Sequence, residues 1–161
     1  MILKTMSEDK KFLRKAIEIA ADGIQNGGGP FGAVISKEGE IISVSNNRVI
    51  LNIDPTAHAE VLVIREAAGL LKTHDLNGCV LYTSCEPCPM CLGAIYWSGI
   101  KRVVYASDRR DAAAAGFNDD LIYNEISLDP SKRQVTFVQM KDNDAKEVFR
   151  RWEQYDGKTT Y

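Results

Sequence analysis

The chain has 161 residues, of which 45% are hydrophobic and 26% are charged, and this composition is typical of one soluble globular domain with a continuous core. Its net charge of −2 weighs against nucleic-acid-binding proteins, which usually carry a basic surface. The first residues lack the apolar stretch and cleavage site of a signal peptide, and no apolar run approaches the length of a membrane span. We therefore expect a cytoplasmic protein whose four cysteines are reduced and available for metal binding or catalysis.

The first half of the chain predicts two helices separated by a β-hairpin. Helical spacing of apolar residues marks the first helix, which Ser7 can cap and which the glycines after Asn26 end. The second helix carries its apolar residues on one face. In chain order, the elements predicted after the first helix are a strand over 31–36, a tight turn over 37–40, an antiparallel strand over 41–49, and a helix from Thr56 or Ala57 to about Leu71.

The second half of the chain alternates strand, helix and strand, an order that implies a mainly parallel sheet covered by helices. The elements predicted here are a strand over 80–83, a helix from Pro89 to near Gly99, a strand over 101–106, a rim loop with short helical pieces over 111–116, a fifth strand over 135–139, and an amphipathic helix over 142–155. No linker divides the sequence. We therefore expect an α/β fold, a three-layer α/β/α sandwich with a five-stranded mixed sheet, in a single domain over 1–161.

Histidine and cysteine residues at two predicted helix starts form the most informative pattern. His58 lies at the start of one helix, and Cys88 and Cys91 lie at the start of the next. Both helix starts are expected at the carboxyl edge of the strands, so these side chains should converge. Imidazole and thiolate are ligands of zinc, and two cysteines three residues apart can face the same ion. The pattern predicts one Zn²⁺ per chain, with water as the fourth ligand.

A carboxylate next to the predicted ligands indicates catalysis. Glu60 follows His58 by two residues and is placed to move protons to and from a zinc-activated water. The pattern HxE followed by PCxxC is the signature of zinc deaminases, in which the glutamate is the general acid/base. Cys85 leaves an alternative open, because a third cysteine would complete a closed structural site and make the protein a non-catalytic zinc module. We expect Cys85 outside the coordination shell, since a fourth protein ligand would displace the water.

Longer stretches carry a resemblance over nearly the whole chain. They are GGGPFGAVI, NN, DPTAHAEVLVIREAA, LYTSCEPCPMCLGAIYWSGIKRVVYA and DAAAAGFNDDLIYNEI. With them the chain resembles the nucleobase deaminases of the cytidine/deoxycytidylate deaminase superfamily, and among these it is most similar to the small bacterial guanine deaminases. The features that favour guanine are AIYW after the second zinc cysteine, the AGFNDD loop, and an aromatic-rich C-terminal helix followed by Tyr161.

The resemblance implies a role for each matching residue. It implies that His58, Cys88 and Cys91 hold zinc and that Glu60 shuttles protons. The substrate-binding residues it implies are Phe31 and Trp97 flanking the ring, Asn47 and the backbone of Ala59 hydrogen-bonding the base, Asp119 reading its polar edge, and Tyr161 helping to close the pocket. It also implies a homodimer in which the C-terminal segment, about residues 140–161, is swapped onto the partner subunit and covers the partner's active site.

The implied reaction is the hydrolytic deamination of guanine to xanthine and ammonia in purine catabolism or salvage. A tRNA adenosine deaminase remains open, because such enzymes share HAE and PCPMC, although they predict a basic surface that this acidic chain does not favour. A deaminase of a related small molecule, such as guanosine, cytosine or an aminotriazine, also remains open. The expected partner is a small purine base, without membrane or nucleic-acid binding.

Overall fold

The structure is a computed structural model that describes residues 2–160 of the chain, with side chains described from residue 6 onward. The chain forms two compact units, the first ending at Asp119 and the second beginning at Asp120, and the first unit contains the whole sheet. Its helices are α1 (Ile2–Gln25), α2 (Val49–Asn52), α3 (Ala59–Leu71), α4 (Pro89–Trp97) and α5 (Arg109–Ala114), and its strands are β1 (Gly29–Lys37), β2 (Glu40–Asn47), β3 (Cys79–Cys85) and β4 (Arg102–Ser107). Among the helices described, none combines the length and the apolar character that a bilayer crossing requires.

The sheet is mixed, with the strand order β2-β1-β3-β4. Strand β1 is antiparallel to both of its neighbours, pairing Val34 with Val44 of β2 and with Tyr82 of β3. Strands β3 and β4 are parallel, with Tyr82 opposite Val104. Strands β2, β3 and β4 therefore run in one direction and β1 runs against them. The expectation of a mainly parallel sheet is wrong. The connection through α3 places β3 next to β1, and these two strands are antiparallel, so of the three strand pairs described just the pair of β3 and β4 is parallel.

The predicted fifth strand over 135–139 is also wrong, and the sheet over residues 2–160 has four strands. A strand is stabilised by ladder hydrogen bonds and by burial of one face. This segment pairs with no strand of the described sheet, and its apolar residues Val135, Phe137 and Val138 are all exposed. The β-branched and aromatic residues there, Val135, Thr136, Phe137 and Val138, favour a strand, but pairing depends on an edge that the local sequence does not specify.

Helices cover both faces of the sheet and produce the three predicted layers. On one face α1 packs Phe12 and Ala16 against Val34 and Tyr82. On the other face α3 and α4 enclose a larger core, whose buried members are Ala33, Ile35, Ala59, Val63, Ala67, Leu76, Cys79, Leu81, Ile95 and Ile100. Alternate residues of β1 and β3 therefore supply opposite cores, as the period of two along a strand requires.

Helix α1 begins earlier than predicted and is tied to the sheet by an ionic contact. The expected cap at Ser7 is wrong, because the helix already begins at Ile2 and the residues LKTM before Ser7 include no helix breaker. Two nitrogens of Arg102 donate to the carboxylate of Asp9 over 2.8 and 2.6 Å, and the hydroxyl of Tyr82 donates to it over 3.0 Å. Asp9 therefore links α1 to both β3 and β4.

The second unit, residues 120–160 within the described chain, contains two helices joined by a 3₁₀ turn. These are α6 (Asp120–Ile126), the turn Pro130–Lys132 and α7 (Asn143–Gln154). The predicted C-terminal amphipathic helix is confirmed as α7, and Asp142 caps it by accepting a hydrogen bond from the backbone N–H of Asp144 over 2.8 Å.

Candidate active site

One edge of the sheet collects the residues that the sequence singles out. The ends of β2, β3 and β4 and the beginning of β1 lie at this edge, because β1 runs against the other three strands. Asn47 ends β2, Cys85 ends β3, and Phe31 lies near the start of β1. A backbone hydrogen bond from Arg48 N to Ala57 O brings the loop before α3 to the same edge. The site therefore forms where strand ends meet the N-termini of helices, a common location of sites in α/β proteins.

His58, Cys88 and Cys91 converge into the one group of described residues that could hold a metal ion. Nδ1 of His58 lies 3.5 Å from the sulfur of Cys88 and 3.5 Å from that of Cys91, and the two sulfurs are 3.6 Å apart. Tetrahedral zinc with Zn–S of about 2.3 Å and Zn–N of about 2.0–2.1 Å would place such atoms roughly 3.6–3.8 Å apart. The donor types and their separations therefore fit zinc.

Local sequence holds each of these residues at a helix N-terminus. The carboxylate of Asp54 accepts hydrogen bonds from the backbone N–H and the hydroxyl of Thr56 over 2.8 and 2.7 Å. This turn delays the start of α3 to Ala59, two or three residues later than predicted, and leaves His58 as its extended N-cap. Cys88 is the N-cap of α4, where Pro89 occupies the first position. The extended caps direct both side chains off their helices toward each other.

The electrostatics of the cluster favour a cation. The hydrogen bond from the Cys91 thiol, together with that from His58, lowers the pKa of Cys88 to about 4. The thiolate of Cys88 is in turn the main cause that raises the pKa of His58, with smaller contributions from Glu60 and Asp119. The pKa of Cys91 is raised, chiefly by its bond to Cys88 and by burial. Two sulfurs this close ionise together only with a cation between them, which is the condition a thiolate-bound metal supplies.

Glu60 lies beside the cluster on the first turn of α3 and is 4% exposed. The hydroxyl of Thr83 donates to its Oε1 over 2.6 Å, and its Oε2 is 3.4 Å from the sulfur of Cys91. Burial raises the pKa of Glu60, and the bond from Thr83 partly opposes that rise. A carboxyl group in this environment can exchange a proton with a molecule held against the cluster.

A cavity of about 530 Å³ opens above the cluster within the first unit. Its walls include His58, Glu60 and Cys88 together with three residues predicted to bind substrate, namely Phe31, Asn47 and Asp119. This volume is in the range of small-molecule sites. The structure therefore brings a candidate metal centre, a buried carboxyl group and polar recognition groups into one concave site.

Two of the predicted substrate residues have defined contacts in the cavity wall. The ring of Phe31 meets that of Phe117 edge-to-face, with the centroids 4.9 Å apart. The side-chain oxygen of Asn47 accepts a hydrogen bond from the backbone N–H of Val49 over 3.2 Å. With its oxygen engaged, Asn47 has its NH₂ group to donate to an acceptor on a bound molecule.

The other predicted substrate residues are placed differently. Ala59 is fully buried at the first residue of α3. Trp97 ends α4, is 68% exposed, and is not among the residues that line the cavity of the first unit. Tyr161 lies outside the described residues.

Cys85 has no place in the metal-binding group of the described chain. Its thiol donates to the backbone oxygen of Asp108 over 3.5 Å, and burial raises its pKa to about 11. This bond engages the Cys85 thiol with the protein backbone, outside the group that could hold a metal ion.

Sequence reasoning missed two residues of the site. Phe117 closes the cavity against Phe31, and Thr83 bonds to Glu60. Phe117 lies in the AGFNDD segment, but nothing in that segment indicates that its ring contacts Phe31. Thr83 could have been noticed as the polar residue that ends the predicted strand over 80–83, because a buried polar group requires a partner.

Comparison of sequences identifies relatives of the chain. A guanine deaminase of Bacillus subtilis (strain 168) is 48% identical over 151 residues, which cover 93% of this chain and 97% of the relative. A tRNA-specific adenosine deaminase of Aquifex aeolicus (strain VF5) is 47% identical over 96 residues, which cover 60% of this chain and 64% of the relative. The similarity to the guanine deaminase thus extends well beyond the segment shared with the tRNA enzyme.

Solved structures show the same relationship. The crystal structure of the Bacillus subtilis guanine deaminase matches with a TM-score of 0.92 and 48% identity, over 94% of this chain and 98% of that one. A guanine deaminase from Nitrosomonas europaea matches with a TM-score of 0.64 and 36% identity, over 67% of this chain and 63% of that one. The expected resemblance and the α/β fold class are thereby confirmed, although the sheet of the described residues has four strands and not five.

The family model described as the cytidine and deoxycytidylate deaminase zinc-binding region matches residues 6–107. That range contains the whole metal-binding group and Glu60. The chain belongs to the cytidine and deoxycytidylate deaminase family.

Proposed function

We propose that this chain is a zinc-dependent guanine deaminase that hydrolyses guanine to xanthine and ammonia. The similarity to the Bacillus subtilis guanine deaminase carries this proposal, because it extends over 93% of this chain and 97% of the relative. The cavity supports it, since its mainly apolar walls, with Asn47 and Asp119 among their polar groups, surround a candidate metal centre and a buried carboxyl group. We further infer that the enzyme acts in the cytoplasm, in purine catabolism or salvage.

We assign His58, Cys88 and Cys91 as the ligands of a single Zn²⁺ and leave the fourth position to water. The separations of 3.5–3.6 Å between their donor atoms support this assignment. Bound zinc supplies Lewis-acid activation, which makes water a nucleophile near neutral pH. Cys85 is assigned to a supporting position, because its thiol bonds to the backbone at Asp108.

Glu60 is the proposed proton shuttle. As water adds to the amino-bearing carbon of guanine, the carboxylate takes one proton from the water and delivers it to the adjacent ring nitrogen. It then takes the second proton of the added oxygen and passes it to the amino group. The C–N bond breaks, ammonia leaves with that proton, and the new C=O bond completes xanthine. The position of Glu60 beside Cys91 and in the cavity wall supports this role.

Recognition of the base is assigned to Phe31, Asn47 and Asp119, all of which line the cavity. The ring of Phe31 offers a face or edge for stacking, the NH₂ group of Asn47 a donor, and the carboxylate of Asp119 an acceptor for a purine N–H. A buried donor left unpaired costs about 1–3 kcal/mol, enough to select against wrong bases by roughly one to two orders of magnitude. Proposed contacts of the Ala59 backbone, Trp97 and Tyr161 rest on the family resemblance alone.

We propose a homodimer in which the C-terminal segment, about residues 140–161, covers the active site of the partner subunit. The apolar side of α7 supports a role in association, because Val148, Phe149 and Trp152 are exposed.

Removal of the tail from Gly157 onward should lower turnover more than thermal stability. Gel filtration with light scattering measures the oligomeric state. A fully active truncated chain would contradict the covering role.

The experiment that tests the proposed function is ammonia release from a panel of guanine, guanosine, adenine, cytosine and tRNA. Transfer RNA is included to test the alternative that the chain is a tRNA adenosine deaminase. That alternative is supported by the 47% identity to the Aquifex aeolicus enzyme, which extends over 96 residues. We expect guanine to give the highest kcat/KM. Turnover of another member without turnover of guanine would overturn the proposal, and no turnover by the zinc-loaded protein would favour the structural zinc module.

A further inference from the structure

Thr83 is a buried polar residue in the sheet that the proposed mechanism does not use. It lies in β3, opposite Ala33 of β1 and Tyr105 of β4, and its side chain is completely buried. Leu81 and Cys85, on the same face of the strand, are buried as well. A β-branched apolar side chain such as valine is the ordinary occupant of such a position, so the hydroxyl requires an explanation.

The hydroxyl of Thr83 makes a single specific contact with the site. It donates to Oε1 of Glu60 over 2.6 Å, a length typical of a hydrogen bond to a charged oxygen. The other carboxylate oxygen, Oε2, lies 3.4 Å from the sulfur of Cys91. One oxygen of Glu60 is therefore held by the sheet, and the other lies beside the metal-binding group.

The carboxylate of Glu60 needs an external restraint to keep this orientation. Its last side-chain torsion joins an sp³ carbon to an sp² carbon, and such torsions lack narrow rotamer wells. Thr83 supplies a rigid anchor, because its strand is paired on both sides by β1 and β4. The branched side chain also has few accessible rotamers, which fixes the direction of its hydroxyl.

We propose that Thr83 is a positioning residue whose hydroxyl holds Oε1 of Glu60 so that Oε2 stays beside the metal-binding group and transfers protons during deamination. This inference rests on the proposed function and deepens it, because it names the group that orients the proton shuttle. It also explains a hydroxyl in a position that packing alone would give to valine.

The test compares Thr83→Val with Thr83→Ser. Valine keeps the shape of the side chain and removes the donor, whereas serine keeps the hydroxyl. We expect Thr83→Val to lower kcat by about 10-fold to 10²-fold with KM within about twofold, because a misplacement of about 1 Å in a catalytic group can cost 10²-fold. Thr83→Ser should restore kcat to within about threefold of the wild type.

Ser43 provides a matched control outside the site. Its buried hydroxyl donates to the backbone oxygen of Val63 in α3 over 2.9 Å, so Ser43→Ala also removes one buried hydrogen bond to that helix. We expect Ser43→Ala to lower Tm and leave kcat unchanged. Zinc content and Tm are measured for all three variants, and Thr83→Val should keep the zinc content of the wild type.

The outcomes separate this inference from the proposed function. The assay uses whichever substrate of the panel the wild type turns over, so a wrong substrate assignment shows in the wild type and not in the Thr83 variants. Wild-type kcat in Thr83→Val would overturn the positioning role. So would a Thr83→Ser variant as slow as Thr83→Val, or a loss of kcat in Thr83→Val that only follows lost zinc or lost folded protein.

Discussion

Replacement of Gly32 by alanine tests how closely α1 lies against the sheet. A β-carbon at Gly32 would lie 2.2 Å from the backbone oxygen of Ala16 and 2.6 Å from the backbone nitrogen of Ala20. Folded proteins essentially never show such contacts below 3.0 Å, and neither neighbour is a side chain that can rotate away. The helix backbone must therefore retreat from β1 until the first distance has grown from 2.2 Å to at least 3.0 Å.

The loss of unfolding free energy depends on the packing contacts between α1 and the sheet that this movement weakens. A gap of about 0.5–1 Å forfeits roughly a quarter to a half of the dispersion energy between facing atoms. Phe12 and Ala16, both buried, make the contacts of α1 with Val34 and Tyr82. Overpacking of a core typically costs about 1–3 kcal/mol, and we expect Gly32→Ala at the upper end, about 3 kcal/mol, because the clash is with backbone.

The assay is thermal unfolding, with a glycine in α3 as the matched control. For a chain of this size about 3 kcal/mol corresponds to a drop in Tm of roughly 6–12 °C. Gly69→Ala makes the same chemical change where a β-carbon meets nothing within 4 Å, so it should raise stability by about 0.5–1 kcal/mol. A Gly32→Ala variant as stable as the wild type would refute the close packing of α1 on β1.

Further predictions concern the site and one ion pair. Glu60→Gln should keep its zinc yet lose at least about 10²-fold in kcat, and near-normal turnover would exclude the shuttle role. Cys85→Ser should retain about one zinc per chain by metal analysis, whereas metal loss would support a closed site. The hydrogen bond from Arg102 is the main cause that lowers the pKa of Asp9 below its unfolded value of 3.8. The Asp9 carboxylate therefore stabilises the fold above pH 3.8, and this stabilisation is lost as the pH falls through the lower pKa of the folded state. Asp9→Asn should therefore cost about 1–2 kcal/mol near neutral pH and progressively less in acid, and a difference in Tm that does not change with pH would contradict this reasoning.

The convergence of the candidate metal ligands could be predicted because the evidence for it is local. Cys88 and Cys91 are three residues apart behind Pro87, and His58 stands two residues before Glu60. Placing both motifs at helix starts was enough to predict that they converge, and the structure separates their donor atoms by 3.5–3.6 Å. The reversed direction of β1 did not disturb this prediction, because β2, β3 and β4 still run in the same direction.

Contacts between distant segments could not be read in the same way. The bond between Glu60 and Thr83 joins residues 23 positions apart, and its geometry depends on how α3 lies across the sheet. The meeting of Phe31 with Phe117 has the same origin. The prediction of a fifth strand over 135–139 failed for a related reason, because a short run of β-branched and aromatic residues shows that a segment can pair but does not show that a sheet edge is available.

The most direct test of the central claim is guanine turnover as a function of bound zinc. Purified protein is depleted with a chelator, titrated with zinc, and assayed for xanthine and ammonia from guanine. The account predicts equal amounts of the two products and an activity that rises with zinc until about one ion is bound per chain. Full activity in the metal-free protein, or a zinc-loaded protein that leaves guanine unchanged, would contradict it.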